Sequence, residues 1–177
     1  MKEWIALFSQ TGSELLAVCK ALDRYPDAII TTNYTSVNTE LLSVIRDRKI
    51  PFHMMPKPSK VQYIQLLGDC DLVTLHGWLY IVPEVICCQY AIYNGHPGLI
   101  TKYPELKGRD PQKKAYDLQL PTSGSVIHKV IGEVDSGEII YSAEISIAQK
   151  SLPDTMCALH EASIRLWINF LSKELYK

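Results

Sequence analysis

Over its first 75 residues the chain alternates short apolar runs with amphipathic stretches, and this alternation restricts the fold more than any other feature. Trp4–Phe8 is apolar throughout and leads into a Ser-Gln-Thr-Gly-Ser turn. Ser13–Leu22 then sets Leu15, Leu16, Val18, Cys19 and Leu22 at helical intervals. Residues 28–32 read as a second strand and residues 37–45 as a second helix, with Leu41, Leu42 and Ile45 on one side. Pro51 opens a third, brief strand that Pro56 and Pro58 end. Lys60–Leu67 is a third helix, and residues 72–75 return to strand. Short apolar strands separated by amphipathic helices predict a mostly parallel sheet with helices on both faces, an α/β, Rossmann-like architecture.

The second half departs from that rhythm. Residues 84–88 fit either a helical turn or an extended segment, and residues 91–93 are a strand that Asn-Gly-His-Pro-Gly breaks. Residues 100–116 are irregular until a helix opens at Pro111, since proline is tolerated in a first helical turn. Residues 125–131 and 139–147 alternate with a period of two on either side of an Asp135-Ser136-Gly137 turn, which predicts an antiparallel addition to the sheet. A helix from Asp154 to Leu171 closes the chain, carrying Leu159, Leu166, Trp167 and Phe170. One domain over residues 1–177 is expected for this length.

Composition narrows the partners. A net charge of −1 supplies no field that would gather a nucleic-acid backbone. The N-terminal apolar run is interrupted by Ser9, Gln10 and Thr11, so no signal-peptide core is read there. No stretch approaches the roughly 20 apolar residues that span a bilayer. Cys19, Cys70, Cys87, Cys88 and Cys157 follow no disulfide framework and no Cys-x-x-Cys spacing. Reduced thiols in a cytoplasmic protein without a metal site are the expectation.

Chemistry concentrates between residues 90 and 135. Asn94 and His96 lie two apart at the end of an extended segment, so both side chains point to one side. An amide N–H and an imidazolium N–H can stabilise a developing oxyanion, and a carboxylate such as Asp135 would orient the ring. No nucleophile elbow or activated cysteine is present. Three other features stay open between structural and functional roles. Thr11-Gly12-Ser13 is either a turn with a helix cap or an anion site at a helix start. His76 ends a strand where open α/β sheets bind ligands, or is simply hydrogen-bonded there. Lys102, Lys107, Arg109, Lys113 and Lys114 form a solvated basic face or an anion contact.

The residues Asn94-Gly95-His96-Pro97, then Gly124, His128 and Asp135-Ser136-Gly137 resemble the folate-dependent formyltransferase family, most closely its phosphoribosylglycinamide formyltransferase type. The resemblance implies the formyltransferase fold and transfer of a formyl group from 10-formyltetrahydrofolate to a primary amine, without a metal or an acyl-enzyme. It assigns catalysis to Asn94, His96 and Asp135, and donor binding to Leu79, Tyr80, Ile81, Val82, His128, Val130, Ile131 and Glu133. Acceptor binding would fall to Thr11, Gly12, Ser13, Glu14 and Glu161. The partners implied are a small amine and a reduced folate, with the protein a monomer or homodimer.

Four positions depart from the family pattern. Glu14 stands where Asn is usual, Tyr80 replaces an Arg, Gly98 stands where Ser often follows His-Pro, and Ala162 follows Glu161 in place of His. The acceptor is accordingly phosphoribosylglycinamide or another amine, such as an amino sugar nucleotide. A non-catalytic folate- or nucleotide-binding module is the rival of a different class.

Overall fold

A computed structural model describes residues 1–176. Seven strands form one sheet: β1 (Trp4–Phe8), β2 (Ala28–Thr31), β3 (Phe52–Met54), β4 (Leu72–His76), β5 (Ile92–His96), β6 (Thr122–Lys129) and β7 (Ile139–Ser146). Six helices accompany them: α1 (Ser13–Leu22), α2 (Thr39–Arg48), α3 (Lys60–Leu67), α4 (Glu84–Gln89), α5 (Pro111–Asp117) and α6 (Leu152–Glu174). The strand order is β3-β2-β1-β4-β5-β6-β7. Strands β1 to β5 are parallel, and β6 and β7 each pair antiparallel to the strand before them.

The continuous apolar run of β1 follows from burial on both faces. Trp4, Ala6 and Phe8 pack with α1, α2 and α6, whereas Ile5 and Leu7 pack with α3 and α4. A third, smaller cluster joins Ile100, Leu106, Ala115, Val126, Ile147 and Leu159 beneath α5. The order reverses between β1 and β4, so the chain leaves these neighbouring strands in opposite directions and opens a crevice at their carboxyl ends. Ser9 pins the two departing loops together: its amide donates to the Gly77 carbonyl at 3.3 Å, and its hydroxyl accepts from the Leu79 amide at 3.2 Å.

Several boundaries differ from the sequence expectation. Residues 84–89 are helical, which resolves the segment left open. Helix α2 starts at Thr39 because Asn38 accepts from the Glu40 and Leu41 amides and caps it there. Helix α6 begins at Leu152, two residues before the expected start, because the Ser151 hydroxyl accepts from the Asp154 amide. Strand β6 lies three residues earlier than its pattern indicated, since Ser123, Gly124 and Ser125 pair with β7 despite being polar or small. Gly124 is needed there because a Cβ would collide with the Ala143 carbonyl. Strand β5 runs on to His96, so Asn94 and His96 belong to the sheet rather than to the turn after it.

Candidate active site

Pairing of β5 with β6 sets Asn94 opposite His128 and His96 opposite Val126. Asn94, His96 and His128 therefore share one face of the sheet. Asp135 reaches them from the β6–β7 connection, where it adopts a left-handed conformation (φ 47°) that Asp tolerates better than most residues. Its Oδ2 lies 3.3 Å from His96 Nδ1 and its Oδ1 lies 3.3 Å from His128 Nε2. The Gly108 amide donates to Oδ2 at 2.9 Å. The four side chains thus form one connected cluster with its imidazoles almost fully buried.

Proton positions follow from what each ring nitrogen faces. His96 Nε2 is 2.8 Å from the Leu106 carbonyl, an acceptor only, so Nε2 carries hydrogen and Nδ1 faces the Asp135 carboxylate. Oxyanion donation by His96 consequently requires Nε2–H to exchange the Leu106 carbonyl for substrate. His128 Nδ1 faces the Lys129 carbonyl at 3.0 Å, leaving Nε2 between the Asn94 amide nitrogen at 3.1 Å and Asp135. A lone pair on that Nε2 serves the amide, and a proton there serves the carboxylate.

Burial pushes His96 below its ordinary 6.5, and the Asp135 charge and the Leu106 carbonyl oppose that push only partly. Burial alone would raise Asp135, but the hydrogen bond to His128, the His96 ring and the Gly108 amide together hold it below 3.8. Acid therefore works against the fold. Just below pH 6.5 the unfolded chain takes up a proton that folded His96 refuses, so stability falls as pH drops through this window. The contribution of Asp135 is present above 3.8 and is lost as pH falls through its lower folded value. The thermal midpoint should be flat above neutrality and decline in two acid stages. Asp135→Asn should remove much of the second stage; an unchanged profile in that variant would contradict the assignment.

Two glycines make room for this cluster. Behind Gly95, a Cβ would collide with the Trp167 indole of α6. A Cβ on Gly98 would lie 2.8 Å from Pro111 Cβ and 2.9 Å from His96 Nε2. A serine after His-Pro could not be seated here while His96 holds Leu106. Gly98→Ala should displace the ring and lower turnover by about tenfold or more, with folding retained, as a 1 Å misplacement commonly costs that much or more. Turnover equal to wild type in a steady-state assay would refute the steric account.

A cavity of about 970 Å³ opens over this cluster at the carboxyl ends of β1, β4 and β5. Every donor-binding residue expected from the sequence lines it: Leu79, Tyr80, Ile81 and Val82 on one side, and His128, Val130, Ile131 and Glu133 on the other. Thr11, Gly12, Ser13 and Glu14 line its far end. Glu161 does not line it; that expectation is corrected. Its side chain is on the solvent side of α6, 3.7 Å from Arg165, and the helix presents His160 and the buried Ser163 to the cavity instead. The 3.6-residue period from Met156 through His160 to Ser163 carried that signal. Among the five basic residues after the motif, Arg109 lines the cavity. Lys102 bonds Glu144, Lys113 bonds Asp117, and Lys107 and Lys114 tie down the 107–108 and 134–136 loops. Among the described residues, no group of three or more His, Cys, Asp or Glu side chains is arranged to hold a metal ion, and no helix is long and apolar enough to cross a membrane.

An amide, two imidazoles and a carboxylate thus converge on a cavity at the switch point of a doubly wound sheet, the place where open α/β folds bind ligands. The chain belongs to the formyl transferase family, whose model matches residues 5–167. It is 37% identical over 110 residues to the phosphoribosylglycinamide formyltransferase of Dictyostelium discoideum, covering 55% of this chain and 50% of that protein. It is 26% identical over 118 residues to the mitochondrial formyltetrahydrofolate deformylase 2 of Arabidopsis thaliana, covering 63% of this chain and 35% of that protein. The chain thus spans half or less of the length of these relatives. The crystal structure of phosphoribosylglycinamide formyltransferase from Streptococcus pneumoniae superposes over 100% of both chains, with a TM-score of 0.83 at 24% identity. That likeness establishes the fold, including the antiparallel addition.

Proposed function

We propose that the protein transfers the formyl group of 10-formyltetrahydrofolate to a primary amine on a small molecule. The observation that carries this reading is the convergence of Asn94, His96 and Asp135 on one cavity large enough for a folate and an acceptor together. Leu79, Tyr80, Ile81, Ile131 and Val134 stand exposed around its mouth, where a flat pterin would cover them. The segments carrying them lie outside helices and strands; Ser9 engages the Leu79 amide and Ser136 the Val134 carbonyl, so the ring edges would meet other backbone groups of these segments.

In the reaction, the amine lone pair adds to the formyl carbon and the carbonyl oxygen takes the charge. The Asn94 amide and the Nε2–H of His96 stabilise that oxyanion. Asp135 holds His96 and favours its cationic form as charge develops nearby. The bond from carbon to N10 then breaks, the acceptor nitrogen loses a proton and N10 gains one. Phosphoribosylglycinamide is the acceptor suggested by the relatives that bear its name.

The test is incubation with 10-formyltetrahydrofolate and a panel of primary amines, following both formylated amine and formate by mass. Formylated product that disappears in His96→Ala supports the reading. Formate in its place would make water the acceptor, as the name of the Arabidopsis relative describes for that protein. Tight folate binding without either product would leave a binding module.

A further inference from the structure

The far end of the cavity holds a second polar cluster, separate from Asn94, His96 and Asp135. Glu14, on the first turn of α1, accepts a hydrogen bond from the Ser163 hydroxyl of α6. Its other oxygen lies 3.4 Å from Nδ1 of His76, whose side chain has no solvent exposure. The alignment is too poor for a hydrogen bond, and Nδ1 is left without a partner. Thr74 Oγ1 already accepts from the Trp4 indole at 2.8 Å, so its own hydroxyl hydrogen is free for His76 Nε2 at 3.0 Å. With that donor for Nε2, and with an acceptor-only carboxylate oxygen facing Nδ1 at 3.4 Å, the proton of a neutral His76 is favoured on Nδ1, a buried and unused donor lining the cavity.

Burial would raise Glu14, but the adjacent His76 ring, the hydrogen bond from Ser163 and the nearby His160 hold it below its ordinary 4.5, so it is an anion at neutral pH. The rest of the cavity reinforces this sign. Asp110, Glu133 and Asp135 also line it, and among the described residues Arg109 is the one Lys or Arg that does. The hydroxyls of the first loop are already engaged: Thr11 and Ser13 bond each other at 2.9 Å, and Asn38 donates to Ser13 at 3.2 Å. A phosphate placed at this loop would meet a carboxylate in partly desolvated surroundings and two hydroxyls with other partners.

We propose that the Glu14 subsite binds a non-anionic, hydrogen-bond-donating group of the acceptor, a protonated amine foremost, and that the acceptor does not place a phosphate at the first loop. Free lone pairs of Glu14 accept from that group, while His76 Nδ1–H steadies the carboxylate once a small rotation aligns them. This names the acceptor class for the reading of the protein as an amine formyltransferase and rests on that reading only for the word acceptor.

Ethylenediamine and phosphoethanolamine are matched probes, two-carbon primary amines that differ at the far end in an ammonium or a phosphate. In NMR titrations of the folate-loaded protein, ethylenediamine should bind about tenfold or more tightly than phosphoethanolamine, a factor of ten being a modest share of one partly buried charge contact. Glu14→Gln should bring the two affinities close together while folate affinity stays within about twofold, because the partners of the carboxylate are Ser163 and His76 and not the residues proposed to hold the donor. Equal or tighter binding of phosphoethanolamine by the wild-type protein would overturn the proposal, as would an undiminished preference in a folded Glu14→Gln protein. If that variant does not fold, the wild-type ratio decides alone. Binding is read without turnover, so a protein that prefers ethylenediamine yet formylates no amine would fail as a transferase while keeping this subsite.

Discussion

Replacement of Asp135 by asparagine should lower formyl transfer about a hundredfold or more, within the range for losing a positioned acid–base partner or an oxyanion contact. The carboxylate faces two imidazoles and an amide N–H at once. An asparagine keeps the volume but turns one of its two ends into a donor, so at least one of His96, His128 and Gly108 meets a group of the wrong polarity. Without the negative charge, burial drives His96 further from its cationic form. The expected pattern is a fall in kcat with folate affinity nearly intact, measured by product mass and by folate titration. A kcat within twofold of wild type would remove Asp135 from the proposed chemistry.

Trp167→Ala should be the most damaging change to stability. The indole is fully buried in the core that α6 forms with the sheet, and its ring stacks on His76 at a centroid distance of 4.4 Å. Truncations of this kind cost about 3–5 kcal/mol, which for a chain of this size lowers the thermal midpoint by about 10 °C. The same indole fills the space behind Gly95, so the cavity left by alanine lies directly under the strand that carries Asn94 and His96. Calorimetry should show the drop; a midpoint within 2 °C of wild type would mean that the region collapses without penalty.

Much of this was legible in the sequence for a physical reason. Fully buried parallel strands such as β1 need continuous apolar runs, and Asn94 and His96 share a face because strand side chains repeat every two residues. What was hidden depends on partners distant in sequence. The start of β6 looked like a loop because Ser123, Gly124 and Ser125 are strand-forming only when β7 supplies the ladder. Glu161 was assigned through the family resemblance, yet the rotation of α6, set by Leu159, Leu166, Trp167 and Phe170, presents His160 to the cavity instead. Glu14 read as a departure from a pattern. Its pairing with Ser163, 149 positions away, could be found only once α1 and α6 were packed together.

The connection from β6 to β7 carries two kinds of residue on one short tether. Its near end, Ile131 and Glu133, lines the cavity where we propose that the donor binds, and Asp135 follows two residues later. Lys129 and Glu138 clamp the tether at its base through a 2.8 Å backbone hydrogen bond, and Gly137 allows the chain to close tightly there. A folate pressing on this wall bears on the same few residues that aim the carboxylate. In the proposed reaction, donor occupancy and the alignment of Asp135 are thereby expected to be geared together. Lengthening the tether would loosen both, whereas alterations at the far end of the cavity can retune the acceptor without touching that gear.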